Sequence, residues 1–444
     1  MSFPAYSEYK DSGVPWLGVV PLHWRTERLK TLFDLQKRAV RTEDEIVTAF
    51  RDGTVTLRKN RREEGFTNAL QEIGYQGIRR GDLVIHAMDG FAGAIGVSDA
   101  DGKSTPVYSV CRPRAGTSAH YYGRLLRHMA LSGFVNALAR GVRERSTEFR
   151  WSDASVLHLP VPPMDEQIAI NVFLDRETAK IDALVAEQER LIALLKEKRQ
   201  AVISHAVTKG LNPHAPMKDS GIEWLGEIPA HWEVKRLRHL ASLNPSKSEI
   251  AELDLETEVS FLPMEAIGED GQLSLDRTRP ITDVITGYTY FREGDVTIAK
   301  ITPCFENGKG AIMQGLIYGV GFGTTELIVV RADRSQSSAE FLNWLFRSYQ
   351  FRALGEGAMY GAGGQKRVPD EFVRDFAIGL PPHIEQAEIV MHLNSITLEF
   401  DRLASEAQVT ITLLQERRAA LISAAVTGKI DVRGLVDKHE LEAA

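Results

Sequence analysis

Two stretches of the chain repeat apolar residues at alternating steps of four and three. The first runs between Pro163 and Gly210 and the second from His383 to Thr427, and neither contains proline or glycine. In the first, the seam reads Ile170, Leu174, Ile181, Leu184, Leu191, Leu195 and Val202. In the second it reads Ile389, Leu393, Ile396, Phe400, Leu403, Ala407, Leu414 and Leu421. That spacing predicts two coiled-coil helices, each about 60 Å long at about 1.5 Å per residue. The paired prolines at 162–163 and 381–382 suit helix entry, and Asp165 and Glu166 favour the positive end of the helix dipole. Equivalent seams in two helices predict an antiparallel intramolecular pair, with two separate amphipathic helices lying on globular domains as the alternative. Lys198 and Arg417 fall at equivalent seam sites in this register.

Elsewhere the pattern is shorter. Gly81-Asp82 and Gly294-Asp295 each precede β-branched residues, which reads as a turn entering a strand. Helical stretches are predicted from Tyr121 to Leu138 and from Ala339 to Leu354. The chain also contains itself twice. Lys10-Asp11-Ser12-Gly13 and Trp16-Leu17-Gly18 recur at 218–221 and 224–226, and Pro21-Leu22-His23-Trp24 answers Pro229-Ala230-His231-Trp232. Pro162-Pro163-Met164-Asp165-Glu166-Gln167 answers Pro381-Pro382-His383-Ile384-Glu385-Gln386. Each unit therefore has a similar lead, a divergent middle and a similar helical tail. The expected fold is α+β, with two tandem α+β domains separated by two long helices in an antiparallel coiled coil, related by a pseudo-two-fold repeat. The expected divisions are 1–158, a first long helix in 159–209, a second lead and domain in 210–379, and the second helix with a tail in 380–444.

Composition narrows the function. The 444 residues are 43% hydrophobic and 25% charged, as in ordinary globular proteins. No window is apolar enough to span a membrane. The start has no basic region followed by an apolar run, so a cytoplasmic location is expected. Two cysteines, Cys111 and Cys304, are too few for a disulfide framework. No catalytic constellation is evident. Gly102-Lys103-Ser104-Thr105 resembles the end of a phosphate-binding loop, but the position needing the first glycine is Val97, and a hairpin turn is expected instead. His23 and His231, each beside a tryptophan, are expected to form an anchoring corner between lead and domain rather than a ligand site.

The net charge of −7 is unevenly spread. Residues 24–158 carry 22 basic and 16 acidic side chains, and residues 232–378 carry 16 and 21. Basic residues of the first domain cluster at Arg58, Lys59, Arg61 and Arg62, at Arg79 and Arg80, and at Arg143, Arg145 and Arg150. In the second domain Gln365, Lys366 and Arg367 follow a glycine loop at 361–364. Arginine suits bidentate contact with phosphate and guanine edges, so these twelve residues are the expected DNA contacts.

The twice-repeated order of Pro-x-His-Trp leads, Gly-Asp strand entries, Pro-Pro-x-x-Glu-Gln segments and heptad helices resembles the specificity subunit of type I restriction-modification systems. The resemblance covers roughly residues 10–430. It implies two target-recognition domains, each reading one half of a bipartite sequence in double-stranded DNA. The helices then act as a spacer and as a dock for methyltransferase subunits, of which two are expected, and these recruit restriction and translocation subunits. It further implies that this chain is not itself an enzyme and holds no cofactor, with S-adenosylmethionine, ATP and magnesium on the partners. The rival expectations are a stand-alone DNA-acting enzyme and a coiled-coil scaffold for protein binding.

Overall fold

The prolines, acidic first turn and heptads do what their chemistry favours. In a computed structural model, which describes residues 3–61, 72–135, 148–362 and 364–442, the chain forms a 46-residue helix and a 44-residue helix. Five helices carry the argument: α1 (Ala119–Leu131), α2 (Met164–Lys209), α3 (Ala339–Phe346), α4 (Tyr349–Gly357) and α5 (His383–Val426). The expected helix from Ala339 to Leu354 is broken at Arg347-Ser348, where Ser348 caps α4 by accepting from the Phe351 amide. The far end of the expected 121–138 helix, beyond residue 135, lies outside the described residues.

The chain divides into two compact units, Met1–Gln188 with Val409–Ala444, and Glu189–Gln408. Both units contain a four-stranded antiparallel sheet of the same order. In unit 1 it runs Phe33–Leu35, Tyr108–Pro113, Leu83–His86, Ile95–Val97. In unit 2 it runs Ala241–Leu243, Leu327–Ala332, Val296–Ala299, Gly310–Ile312. Sequences too divergent to align thus share one topology. Unit 2 adds a second four-stranded sheet, in which Glu258–Leu262 pairs parallel with Val320–Gly323. Its hydrophobic centre, around Val259, Tyr290 and Phe322, is separate from that of the shared sheet.

The Gly-Asp echo now has a cause. Gly81 and Gly294 turn with φ of 88° and 83°, a region that β-carbons disfavour. The following aspartates close the turn by accepting from the amides of Arg79 (2.7 Å) and Arg292 (2.9 Å). Each aspartate also pairs with an arginine from a neighbouring segment, Asp82 with Arg38 and Asp295 with Arg331. Both carboxylates are almost fully buried, so this pairing is what makes their burial tolerable.

The two long helices pair antiparallel in each unit, the start of one beside the end of the other. In unit 1 the first half of α2 packs with the last part of α5, and Ile170, Leu174, Ile181, Leu421 and Ala425 share a core. In unit 2 the end of α2 and the start of α5 bring Ile203, Ala206, Val207, Ile389 and Leu393 together. The seam differs from the expected one between residues 181 and 202. Leu184 and Leu191 are 46% and 41% exposed. The buried or half-buried positions are instead Leu174, Thr178, Ile181, Val185, Gln188, Ile192, Leu195, Arg199 and Val202, an unbroken series of fours and threes. On α5 the matching series is Leu393, Thr397, Phe400, Ala404, Ala407, Ile411, Leu414, Arg418 and Leu421. Ile396 and Leu403 stand beside this line, half-buried.

The expected line therefore falls one residue early at alternate positions, at Leu184, Leu191 and Lys198 in place of Val185, Ile192 and Arg199, because it takes the steps of three and four in the opposite order. Thr178 and Thr397 are tolerated inside because their hydroxyls donate to the carbonyls of Leu174 and Leu393, at 2.7 and 2.6 Å. The seam cations are Arg199 and Arg418, not Lys198 and Arg417. Arg418 pairs with Asp182 at 2.9 Å in unit 1, and Arg199 lies 3.5 Å from Asp401 in unit 2. Lys198 is exposed, with its ammonium 5.8 Å from the Phe400 ring centre.

Candidate nucleic-acid interface

Each globular domain is fastened to the long helices by the same latch. The Pro-x-His-Trp turn is closed by the Trp24 amide donating to Pro21 O and the Trp232 amide donating to Pro229 O, both at 2.9 Å. This directs each fully buried indole at a glutamate in the first turn of a long helix. Trp24 Nε1 donates to Glu166 at 3.1 Å, and Trp232 Nε1 to Glu385 at 2.9 Å. His23 and His231 reach the same carboxylates at 2.8 and 2.7 Å, so the histidines serve the anchoring corner. In unit 1 the Tyr6 hydroxyl donates to Glu166 as well, and burial with this carboxylate beside it pushes the phenol pKa well above its ordinary range.

The adjacent glutamine fastens the domain itself. Gln167 Oε1 accepts from the amide of Ser118, the N-cap of α1, and Gln386 Oε1 accepts from that of Ser338, the N-cap of α3. Their amide nitrogens donate to Pro162 O and Pro381 O at 2.9 Å. The repeated Pro-Pro-x-x-Glu-Gln segment is thus a structural joint. Glutamate holds the lead and glutamine holds a helix of the globular domain, both from the first turn of a long helix.

The expected contact residues come from four stretches of the sequence, which the fold treats differently. In unit 1, Arg58, Lys59 and Arg61 follow the hairpin Val47–Ala49/Val55–Leu57 on one turn, where Lys59 and Arg61 are exposed and Arg58 is half-buried, its Nε donating to Thr48 Oγ1 at 3.3 Å. Lys59 pairs with Glu45 and Arg61 with Asp52, both at 2.5 Å, while the Arg61 guanidinium lies 4.7 Å from the Phe50 ring centre. Burial acts against the charge of Asp52, but hydrogen bonds from Thr54 and Arg61 outweigh it and hold its pKa below the usual range. Arg79 points inward: it is 17% exposed, pairs with Asp44 and donates to the carbonyls of Ile78 and Gly102, so its duty is structural. Arg80 is exposed, and Arg150 is exposed beside Glu148. Arg62, Arg143 and Arg145 lie outside the described residues. Lys103, in the segment that resembled a phosphate loop, sits on the strand Gly102–Ser104 and pairs with Glu72; that strand pairs with Gln76–Ile78 and not with either neighbouring strand, so the expected hairpin turn is not formed.

In unit 2, Gln365 and Lys366 are exposed on the loop after Tyr360. The loop is pinned at both ends. Thr302 Oγ1 donates to Gly364 O at 2.7 Å and accepts from the Lys366 amide at 3.1 Å. Arg367 exchanges backbone bonds with Tyr360 and grips Glu326 through two nitrogens at 2.9 and 2.7 Å. That grip holds the Glu326 pKa below the usual carboxylate range. Gln365, Lys366 and the 66%-exposed Tyr360 therefore project from a fixed platform. Among the described residues no cluster of histidine, cysteine and acidic side chains could hold a metal, and no helix is long and apolar enough to cross a membrane.

No family model matches the chain. Among curated proteins, the EcoEI specificity subunit of Escherichia coli is 37% identical over 198 residues, which is 44% of this chain and 33% of that protein. The EcoAI specificity subunit of the same species is 39% identical over 192 residues, 43% of this chain and 32% of that protein. The chain is similar to type I restriction enzyme specificity subunits. Its matches span about a third of the length of these two relatives. The likeness in fold extends further. A chain from a type I restriction-modification assembly superposes with a TM-score of 0.64 at 16% identity, covering 93% of this chain and 99% of that one. The HsdS subunit of Thermoanaerobacter tengcongensis superposes with a TM-score of 0.53 at 17% identity, covering 93% and 98%. The two-unit, long-helix architecture is thus the fold of type I specificity subunits.

Proposed function

We propose that this chain is the sequence-specificity subunit of a type I restriction-modification complex, in which each unit reads one half of a split DNA target. The repeated latch carries the reading. Two domains of one topology are each joined, by the same tryptophan, glutamate and glutamine contacts, to the first turn of a long helix. Such a joint passes the stiffness of the helix to the domain, which a reader needs if its position on DNA is to be fixed. The major groove supplies the sequence code, and half-sites about one helical turn apart present the same face of the duplex.

In this reading Arg58, Lys59, Arg61, Arg80 and Arg150 of unit 1 meet phosphates and base edges, as do Gln365, Lys366 and Arg367 of unit 2. Lys59 and Arg61 exchange their exposed carboxylates for phosphates on binding, at little cost because such surface pairs are weak. Arg79 is left out of the contact set. The long helices set the interval between half-sites and receive the methyltransferase subunits. Adenine methylation and DNA cleavage take place on the partners, which hold S-adenosylmethionine, ATP and magnesium. Sequence selection from a random duplex library tests the reading directly, using the chain assembled with its methyltransferase. Replacing residues 24–158 by the corresponding domain of another specificity subunit is expected to change one half-site and leave the other intact. Changes in both halves, or no selection at all, would overturn it.

A further inference from the structure

In unit 2 a cleft of about 380 Å³ lies between α2 and the helices of the recognition domain. Three arginines meet there: Arg199 from α2, Arg347 just after α3, and Arg352 from α4. Their bonding is incomplete. Arg352 donates to Gln200 and, at 3.5 Å, to Glu306 O, and Arg199 approaches Asp401 at 3.5 Å. Three of their nitrogens are shielded from solvent and have no acceptor among the described residues, Arg347 Nε and Nη2 and Arg352 Nε, while Arg199 Nε has only its long approach to Asp401. A donor buried without an acceptor is destabilising, and more so when it belongs to a charged group. The mutual repulsion of three guanidinium groups adds to that.

Burial, reinforced by the charges of Arg199 and Arg352, pushes the Arg347 pKa down to about 10, against the opposing pull of Asp270 and Asp401. Burial and Arg199 likewise lower the pKa of Arg352. Three carboxylates also line the cleft, and all lie at its open side: Asp401 is more than half exposed, Asp270 is exposed, and the exposed Glu269 already accepts from Asn307 at 2.8 Å.

We propose that this cleft binds an inorganic oxyanion of the phosphate or sulfate class, held by Arg199, Arg347 and Arg352, and that the anion ties α3 and α4 of the second recognition domain to α2. Planar guanidinium forks arriving from three elements match an acceptor with several oxygens, and a doubly charged anion offsets the repulsion among them. Counting from the capping serine, the residues of unit 1 equivalent to Arg347 and Arg352 are Arg127 and Ser132; the cleft there is lined by Arg124, Arg127 and Arg418, of which Arg124 is already paired with Asp175 and Arg418 with Asp182.

The full-length chain is melted in a zwitterionic buffer while sodium phosphate, sodium sulfate or sodium chloride is added at matched ionic strength. Phosphate and sulfate are expected to raise the melting temperature of unit 2 by about 5–10 °C at one hundred times Kd, and chloride is expected to leave it unchanged. Arg347→Met should melt no lower than the parent in chloride, because a repelling charge has gone, and should lose the phosphate response. Arg352→Met provides the same reading should the first variant misfold, and Arg127→Met should keep the response. A phosphate effect no larger than that of chloride, or one that survives in both Arg347→Met and Arg352→Met, would overturn the proposal. The readout needs no DNA, so its failure would leave the sequence-reading role standing, and the reverse also holds.

Discussion

Removing the carboxylate of the latch should cost unequal amounts in the two units. Glu166 is 3% exposed and accepts from two buried donors, Trp24 Nε1 and the Tyr6 hydroxyl, as well as from the half-exposed His23. Glu166→Ala leaves both buried donors without an acceptor. At about 1–3 kcal/mol each, unit 1 should lose about 2–6 kcal/mol. At the matching place in unit 2, Glu385 accepts from Trp232 and His231, and its side chain is 21% exposed. Tyr6 has no counterpart, since the equivalent position holds His214. One buried donor is stranded there, with water close by, so Glu385→Ala should cost unit 2 about 1–2 kcal/mol. Amide hydrogen exchange read by mass spectrometry on peptides spanning residues 17–28 and 225–236 gives a local opening free energy for each unit in the same sample. Equal losses in the two units, or a larger loss in unit 2, would refute the assignment of the latch energy to buried donors.

The corrected seam predicts that Leu174→Ala destabilises unit 1 by about 2–5 kcal/mol and Leu184→Ala by under about 0.5 kcal/mol in urea titrations, whereas the heptad traced from sequence alone has both as core residues. Burial lowers the pKa values of His86, His120 and His128 of unit 1, partly opposed at His86 by Asp89 and at His120 by Asp175. The unfolded chain therefore takes up protons first, and unit 1 should lose stability as the pH falls below about 6.5; a flat hydrogen-exchange stability between pH 7.5 and 5.5 would contradict this. Replacing Lys59 and Arg61 together by alanine should weaken DNA binding and reduce the slope of log K against log salt by up to about two, and an unchanged slope would remove that turn from the interface. Inserting seven residues after Gln188 and seven after Ala407 keeps the heptad phase and adds about 10 Å of helix. The unread gap between half-sites should then lengthen by about three base pairs in a selection experiment, and an unchanged gap would rule out the helices as spacer.

Local sequence determined the parts whose causes are local. Two proline- and glycine-free heptad runs have one economical outcome, a pair of long helices, because no other conformation buries a stripe at that period. The repeated leads, each with a histidine beside a tryptophan, announced a duplicated anchoring corner, but not that its acceptor is a glutamate 142 residues further on in unit 1 and 153 in unit 2. Only the tertiary structure could settle which side chains of the helices face inward. Thr178, Gln188 and Arg199 are polar in any reading of the sequence. They take seam positions because a threonine can satisfy its hydroxyl on its own helix and an arginine can meet an aspartate on the other. The shared sheet order of the two middles was equally hidden, since topology constrains which faces are buried and tolerates almost any apolar residue there. Charge behaved the same way: Arg79 and Arg80 are neighbours in sequence, yet the turn made by Gly81 and Asp82 sends one to Asp44 and the other to solvent. A count of basic residues measures the charge a surface has available, and the fold decides how much of it is already spoken for by carboxylates within reach.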